Sequence, residues 1–453
     1  MSAAGEPDGA SAERAGCIRE DNARVLQGLR GQHFAGGVFA LALMVRLIAI
    51  GLAGPGTVRF GDGADYLHTA AVLCTTGAYP EAGNLPFFRA PGLPWFIALV
   101  TGCEPAKVAR VKIALAVVDS ATAVLVFWLA WFLSRRRIAG VIAGFAAALW
   151  PFFVAAVTDV RSEPLFMFFL TASLCLVLAF RESGRAIDLV AGGASVAAAS
   201  LTRPAGLALA VVLALICGFF ARRRGAAAAL RSALIFSVAC GLTLGPWVVR
   251  NYVRYGELIL VNDAGGYNFW RGGASEMIAL ENASKDRFAP GSQDFETNVT
   301  RRLREEVEQN ASSPMERSGE WAAIAERSIR SDPGSYIAFT RKKAARYWRP
   351  WLDPREHGAA EVVGSGIINF LLFLVAVEGL ILLRPEQGDV VWTLVAFIVA
   401  GWLLHIPFQV VMRFRIPITD PLFLALGAVA MTELVRRIER RGRGGKLPVG
   451  FLE

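Results

Sequence analysis

The chain has 453 residues, is 54% hydrophobic, carries a formal net charge of +9 and has a mean hydropathy of +0.45. A soluble protein of this length is rarely so apolar, and its apolar residues fall in runs of about 17–25, the length a helix needs to cross ~30 Å of hydrocarbon. The same runs argue against a membrane β-barrel, which would show short alternating segments, and the scatter of basic residues over many short loops argues against nucleic-acid binding.

In chain order, residues 1–33 are polar and mixed in charge and read as a disordered cytoplasmic tail without a removable signal peptide. About ten spans are expected, at residues 34–53, 108–133, 138–157, 164–180, 187–201, 204–220, 227–249, 367–383, 390–405 and 417–435. The fifth is short and rich in Gly and Ala. Residues 34–249 thus form a first module of about seven spans, 366–436 hold the last helices, and 437–453 read as a second cytoplasmic tail. Two segments are too polar to span: a first outer loop, 54–107, and a longer one, 250–365. The longer one is large enough for a small helical domain, and its Glu/Arg/Ala-rich stretch 300–330 suits surface helices. The expected fold is an all-α polytopic bundle.

Short basic loops set the orientation. Arg135-Arg136-Arg137, Arg181 with Arg185, Arg222-Arg223-Arg224, Arg384 and the run from Arg436 to Lys446 all fall on one side if both termini are cytoplasmic. That places the long loops, and the unusual charges beside them, on the extracytoplasmic face. Cys74 and Cys103 share the first outer loop, where an oxidising compartment would permit a disulfide. The cysteines and the four dispersed histidines show no metal-ligand spacing, so no metal site is expected.

Chemistry-bearing residues gather at outer span ends. Gly61-Asp62-Gly63-Ala64-Asp65-Tyr66 follows the first span, then Gly77-Ala78-Tyr79-Pro80, then Arg89-Ala90-Pro91-Gly92-Leu93-Pro94. An acidic pair just outside a membrane helix suits a general base or a cation, although Asp and Gly are also ordinary turn residues. Leu93 to Val100 suits a helix lying at the interface, anchored by Trp95 and Phe96.

These motifs resemble the bacterial polyprenyl-phosphate-dependent glycosyltransferases of the GT-C superfamily, which are similar to protein O-mannosyltransferases and the lipid A aminoarabinose transferase. Further matches are Thr158-Asp159-Val160-Arg161-Ser162-Glu163-Pro164, Leu201-Thr202-Arg203-Pro204, Pro246-Trp247-Val248-Val249-Arg250-Asn251-Tyr252 and Arg413-Phe414-Arg415-Ile416-Pro417. The resemblance departs at Gly63, where many relatives carry Glu. It implies a GT-C-like membrane enzyme of the plasma (inner) membrane with an extracytoplasmic site. Its donor would be a polyprenyl-phosphate-linked sugar, a hexose or pentose. Its acceptor would be lipid A, another envelope glycan, a glycolipid or a protein. No divalent cation is implied as required.

Such a transfer needs a carboxylate to take the acceptor proton and arginines to stabilise the leaving phosphate. The resemblance favours Asp62 as base, with Asp159 and Glu163 orienting it or the acceptor; capping of the fourth span is the alternative for those two. Arg89, Arg203, Arg250, Arg413 and Arg415 are the phosphate-binding candidates, against a snorkelling role at the headgroups. Asp65, Tyr66, Tyr267 and Asn268 are pocket candidates, the aromatic ones also suiting interfacial anchoring. Arg46 and Asp119 lie roughly 13–17 Å below the outer interface at 1.5 Å per residue. Arg46 is expected to face the interior and pair with Asp119, as structure or as part of a substrate pocket. A transporter or lipid-linked-sugar flippase is the rival reading, and a membrane scaffold a third.

Overall fold

The structure, a computed structural model, describes residues 33–59, 61–80, 87–283, 292–354, 357–383 and 387–442. Most of both expected tails, and Arg384, lie outside the described residues. Every regular element among the described residues is helical. The first membrane helices are α1 (His33–Ala53), α4 (Val108–Ser134), α5 (Arg137–Leu149) with α6 (Pro151–Ala156), α7 (Glu163–Ser183), α8 (Ala186–Thr202), α9 (Ala205–Ala221) and α10 (Ala226–Tyr255). The last three are α16 (Ala359–Leu382), α17 (Gly388–His405) and α18 (Met412–Gly442). Between α1 and α4 lie α2 (Gly61–Thr76) and α3 (Gly92–Thr101). Between α10 and α16 lie α11 (Gly265–Gly273), α12 (Ser275–Ala283), α13 (Ser292–Asn310), α14 (Pro314–Ser331) and α15 (Pro333–Tyr347).

Among the described residues, eight helices are long and apolar enough to cross a membrane. The expected third and fifth spans are shorter. The third is broken at Trp150, which is extended with ψ 116° because Pro151 disfavours the α conformation in the residue before it. Both nevertheless run the depth of the bundle. The turn after α7 is closed by Gly184 in the left-handed conformation, and α8 then returns until Arg203 reaches Glu163, the first residue of α7, at 3.0 Å. Likewise α5 and α6 bring Asp159 back to the start of α4, where the Lys112 ammonium feels its charge. Ten helical passes result among the described residues.

The basic loops meet at one end. Arg135 pairs with Glu182, Arg181 donates to Asp389 at 2.7 and 2.8 Å, and Arg224 stands against Gly184. The candidate site residues are at the other end. Helix α18 is the hub, packing against α4, α5, α7 and α16; 78% of its apolar window is buried, against 28% for α1, α16 and α17, whose outer faces are left for lipid. Helices α11–α15 form a layer over the site end with a core of its own, built on Tyr267, Trp270, Leu303, Val307 and Trp321. Cys74 and Cys103 are disulfide-bonded and tie the end of α2 to the residues after α3.

Deep in the bundle, Arg46 Nε donates to Asp119 Oδ2 at 2.5 Å, and its Nη1 donates to the carbonyls of Ala148 (2.9 Å) and Ala42 (3.0 Å). Both side chains are fully buried. A buried ion pair with one partner removed leaves an uncompensated charge. Asp119→Leu is therefore expected to destabilise the protein by roughly 3–5 kcal/mol, and the double variant with Arg46→Met to recover much of that. Thermal unfolding of the four proteins in detergent checks it; additive losses would show that the two charges do not depend on each other.

Candidate active site

The site starts from helix periodicity. Asp62 lies in the first turn of α2, where a carboxylate is favoured by the helix dipole, and Asp65 and Tyr66 follow three and four residues later on the same face. Arg89 arrives from the segment before α3. Its Nη2 donates to Asp62 Oδ1 at 2.8 Å and to Asp65 Oδ2 at 2.7 Å, and its guanidinium lies 4.7 Å from the Tyr66 ring centroid. Arg413, at the start of α18, donates through Nη2 to Asp62 Oδ2 at 2.7 Å and through Nε to Glu163. Arg203 closes the row on Glu163. The order Asp65–Arg89–Asp62–Arg413–Glu163–Arg203 alternates sign along its length.

Burial pushes the Asp62 carboxyl up, but Arg413 and Arg89 outweigh it and hold the group well below the usual carboxylate range. Asp62 and Arg413 are also the most open members, each about a third exposed, whereas Glu163 is nearly enclosed at 7%. A ligand would therefore meet the middle of the row first. Arg161, two residues before Glu163, adds a further cation in the field of Glu163, Asp159 and Asp62.

Other candidates are placed differently. Asp159 serves its loop: Oδ1 accepts from the Val160 amide (2.8 Å) and Oδ2 from the Arg59 amide (3.3 Å). It also stands against Gly63. A Cβ on Gly63 would lie 2.9 Å from Val58 Cγ1, 3.1 Å from Val160 O and 3.3 Å from Asp159 Oδ1, so a side chain there would force its neighbours to shift. Gly92 is under similar pressure, its Cβ position falling 2.7 Å from Thr202 Oγ1, and this close approach brings the Arg-x-Pro-Gly motif onto the Leu-Thr-Arg-Pro motif.

Arg250 is not in the row. It sits among Trp247, Tyr255 and Tyr79 and donates to the Tyr79 carbonyl at 3.2 Å; the Tyr79 hydroxyl in turn donates to the Arg89 carbonyl at 2.8 Å. Arg250 thus supports the loop that presents Arg89. Arg415 points into the bundle, fully buried, donating to Asn369 Oδ1 at 3.1 Å and lying 4.0 Å from Asp420. Arg46 is committed to Asp119. Tyr267 is buried in the core of the α11–α15 layer beside Trp270 and Trp321, and Asn268 is half-buried on the same helix. Neither is among the partners of the charged row. Tyr79, Arg161 and Ser162, which lies 3.4 Å from Arg203 Nη1, were not singled out from sequence, although each lies inside a motif that was.

Solved structures of similar fold exist. The archaeal oligosaccharyltransferase AglB from Archaeoglobus fulgidus, in complex with an inhibitory peptide and a dolichol-phosphate, aligns with a TM-score of 0.54 at 12% identity, over 93% of this chain and 53% of its own. Its apo form aligns equally well, at 0.54 over 92%. ArnT from Cupriavidus metallidurans bound to undecaprenyl phosphate aligns with a TM-score of 0.41 at 16% identity, over 91% of this chain and 80% of its own. The chain therefore shares its fold with the AglB structures and spans about half of their length. No family model and no curated protein matches the chain.

The Gly63 contacts carry a direct expectation. Gly63→Ala overpacks the junction of α2 with the Asp159 loop and is expected to cost ~1–3 kcal/mol of stability. An unchanged melting temperature would show that the junction has slack.

Proposed function

We propose that this chain is an integral membrane glycosyltransferase that moves a sugar from a polyprenyl-phosphate donor to an acceptor on the extracytoplasmic face, with inversion at the anomeric carbon. The observation that carries the reading is Asp62 held between Arg89 and Arg413 at one end of a GT-C-like bundle. Such a transfer requires a base and phosphate-binding cations close together, and a carboxylate between two guanidiniums supports that reading. The AglB structure that shares the fold holds a dolichol-phosphate and a peptide, which supports a lipid-phosphate donor and an extracytoplasmic acceptor. The acceptor classes remain lipid A, another envelope glycan, a glycolipid or a protein.

The sidedness has two supports. The short arginine loops crowd the opposite end, as cytoplasmic loops do, and the Cys74–Cys103 disulfide on the site end suits an oxidising compartment such as a bacterial periplasm. Both fit a plasma-membrane protein with cytoplasmic termini.

In the transfer, an acceptor hydroxyl or amine attacks the anomeric carbon on the face opposite the phosphate. The bond from that carbon to the phosphate oxygen breaks, and its electron pair leaves on the oxygen. Arg89 and Arg413 neutralise that charge through charge-assisted hydrogen bonds, with Arg203 behind them on Glu163. The acceptor proton passes to Asp62. In this scheme the arginines supply the positive charge, so no divalent cation is needed. The resting row is self-neutralised, so the donor phosphate must take N–H groups that Asp62 now holds. That exchange frees the carboxylate and raises its proton affinity at the moment a base is required. A transporter would use binding groups at mid-depth; the charges inside this bundle are engaged with protein groups, Arg46 with Asp119 and Arg415 with Asn369 and Asp420.

Purified protein given a synthetic polyprenyl-phosphate sugar and candidate acceptors tests the reading. Asp62→Asn is expected to lower transfer roughly 10²–10⁴-fold, and undiminished activity would remove Asp62 as the base. The pH dependence is signed. In the free enzyme Asp62 ionises below its ordinary value of 3.8, so the acid limb of kcat/KM should fall below that pH. The limb in kcat, which reports the donor complex, should lie higher. Coincident limbs would mean that the phosphate does not displace Asp62 from its arginines. Cysteine labelling at positions 62 and 413 from opposite sides of the membrane would defeat the shared-face arrangement.

A further inference from the structure

Arg89 is fixed from two directions, and one of them comes from the α11–α15 layer. The residues before it, Phe87 and Phe88, do different work. Phe87 is buried in the core of that layer, its ring 5.5 Å from that of Tyr267. Phe88 packs against Trp247, Tyr255 and Tyr79, and its amide donates to Asp263 Oδ1 at 3.0 Å. Asp263 is only 3% exposed. Its other oxygen faces Arg317 of α14, whose Nη2 is 3.4 Å away. The next residue, Ser318, receives the Gly266 amide of α11 on its hydroxyl at 3.0 Å.

A carboxylate this deep costs free energy unless its oxygens are used. Burial pushes Asp263 up to about 6, against the pull of the Phe88 amide and of Arg317. A neutral side chain could accept the one backbone hydrogen bond more cheaply. The charge makes sense as a two-sided link, gripping a backbone amide one peptide before Arg89 on one side and a guanidinium of the outer layer on the other.

We propose that Asp263 and Arg317 are a positioning pair that ties the α11–α15 layer to the backbone of Arg89 and so sets the place of its guanidinium against Asp62 and the donor phosphate. This rests on the glycosyltransferase reading for the identity of the ligand, but the tie itself does not. Neither residue touches the charged row; they act through Phe88. Misplacement of a binding group by about an ångström is enough to cost two orders of magnitude in rate. Since Arg89 is assigned to the donor phosphate, the loss should fall on the donor and spare the acceptor.

The test compares wild type with Asp263→Ala, Arg317→Met and Arg317→Lys, all full-length in detergent. Amide exchange over residues 87–91 should speed up in Asp263→Ala and Arg317→Met and return toward wild type in Arg317→Lys. The KM for the polyprenyl-phosphate sugar should rise roughly tenfold to a hundredfold in the first two, with the acceptor KM unchanged. Unchanged exchange would overturn the tie. Faster exchange with an unchanged donor KM, or a fall in thermal stability alone, would overturn the positioning role. If wild type transfers no sugar, the glycosyltransferase reading fails alone. The exchange data and the affinity for a polyprenyl phosphate then decide the tie: affinity weakened roughly tenfold in Asp263→Ala supports it, and equal affinity sinks it.

Discussion

A carboxylate at a membrane interface keeps its charge only if cations or hydrogen-bond donors stand beside it. Asp62 has two guanidiniums, and they come from far apart in the chain: Arg89 is 27 residues away and Arg413 is 351. The second contact can form only when α18 is docked in the centre of the bundle. The first can form only when the segment before α3 is folded back over α2. The charged row is therefore a consequence of the complete fold, and its stability and the position of Asp62 are set together.

Helix α18 shows how one element serves two purposes. Residues two apart on a helix point to roughly opposite sides. Arg413 consequently faces the site, while Arg415 faces the interior, where Asn369 and Asp420 receive it and Asp420 also accepts from Trp150 at 2.9 Å. Trp150 is the residue at which the third pass breaks. The break and the inward arginine belong to one buried polar contact, and that contact seats α18 so that Arg413 reaches Asp62.

Much of this was legible in the sequence because it follows from lengths and signs. Hydrocarbon thickness makes the spans readable, and arginine placement makes their sides readable, so the gathering of Asp62, Arg89, Glu163, Arg203 and Arg413 at one end could be anticipated. Equal depth likewise announced the Arg46–Asp119 pair. Rotation about a helix axis was not legible: nothing in Arg413-Phe414-Arg415 says which arginine faces the site. Nor was the difference between a group that lines a site and one that supports it. Asp159, Arg250 and Tyr267 carry the right chemistry, but they respectively hold a loop turn, brace Tyr79 and fill a core. Asp263 gave no signal, because a single Asp in a long loop acquires meaning only from the two distant groups it joins.

The outer layer touches both arms of the site. Asp263 and Arg317 hold the segment that carries Arg89. On the other side, Lys343 of α15 is buried and donates to the carbonyl of Gly272 in α11 and to that of Phe408 at 3.2 Å, four residues before α18 begins. Its ammonium has those backbone oxygens and the Tyr336 and Phe339 rings around it. Buried cations gripping backbone carbonyls transmit position well, since a shift would strand a charge. A layer fixed to the approach of Arg89 and to the approach of Arg413 sets the gap between the two guanidiniums. That gap lets both guanidiniums reach the one carboxylate of Asp62.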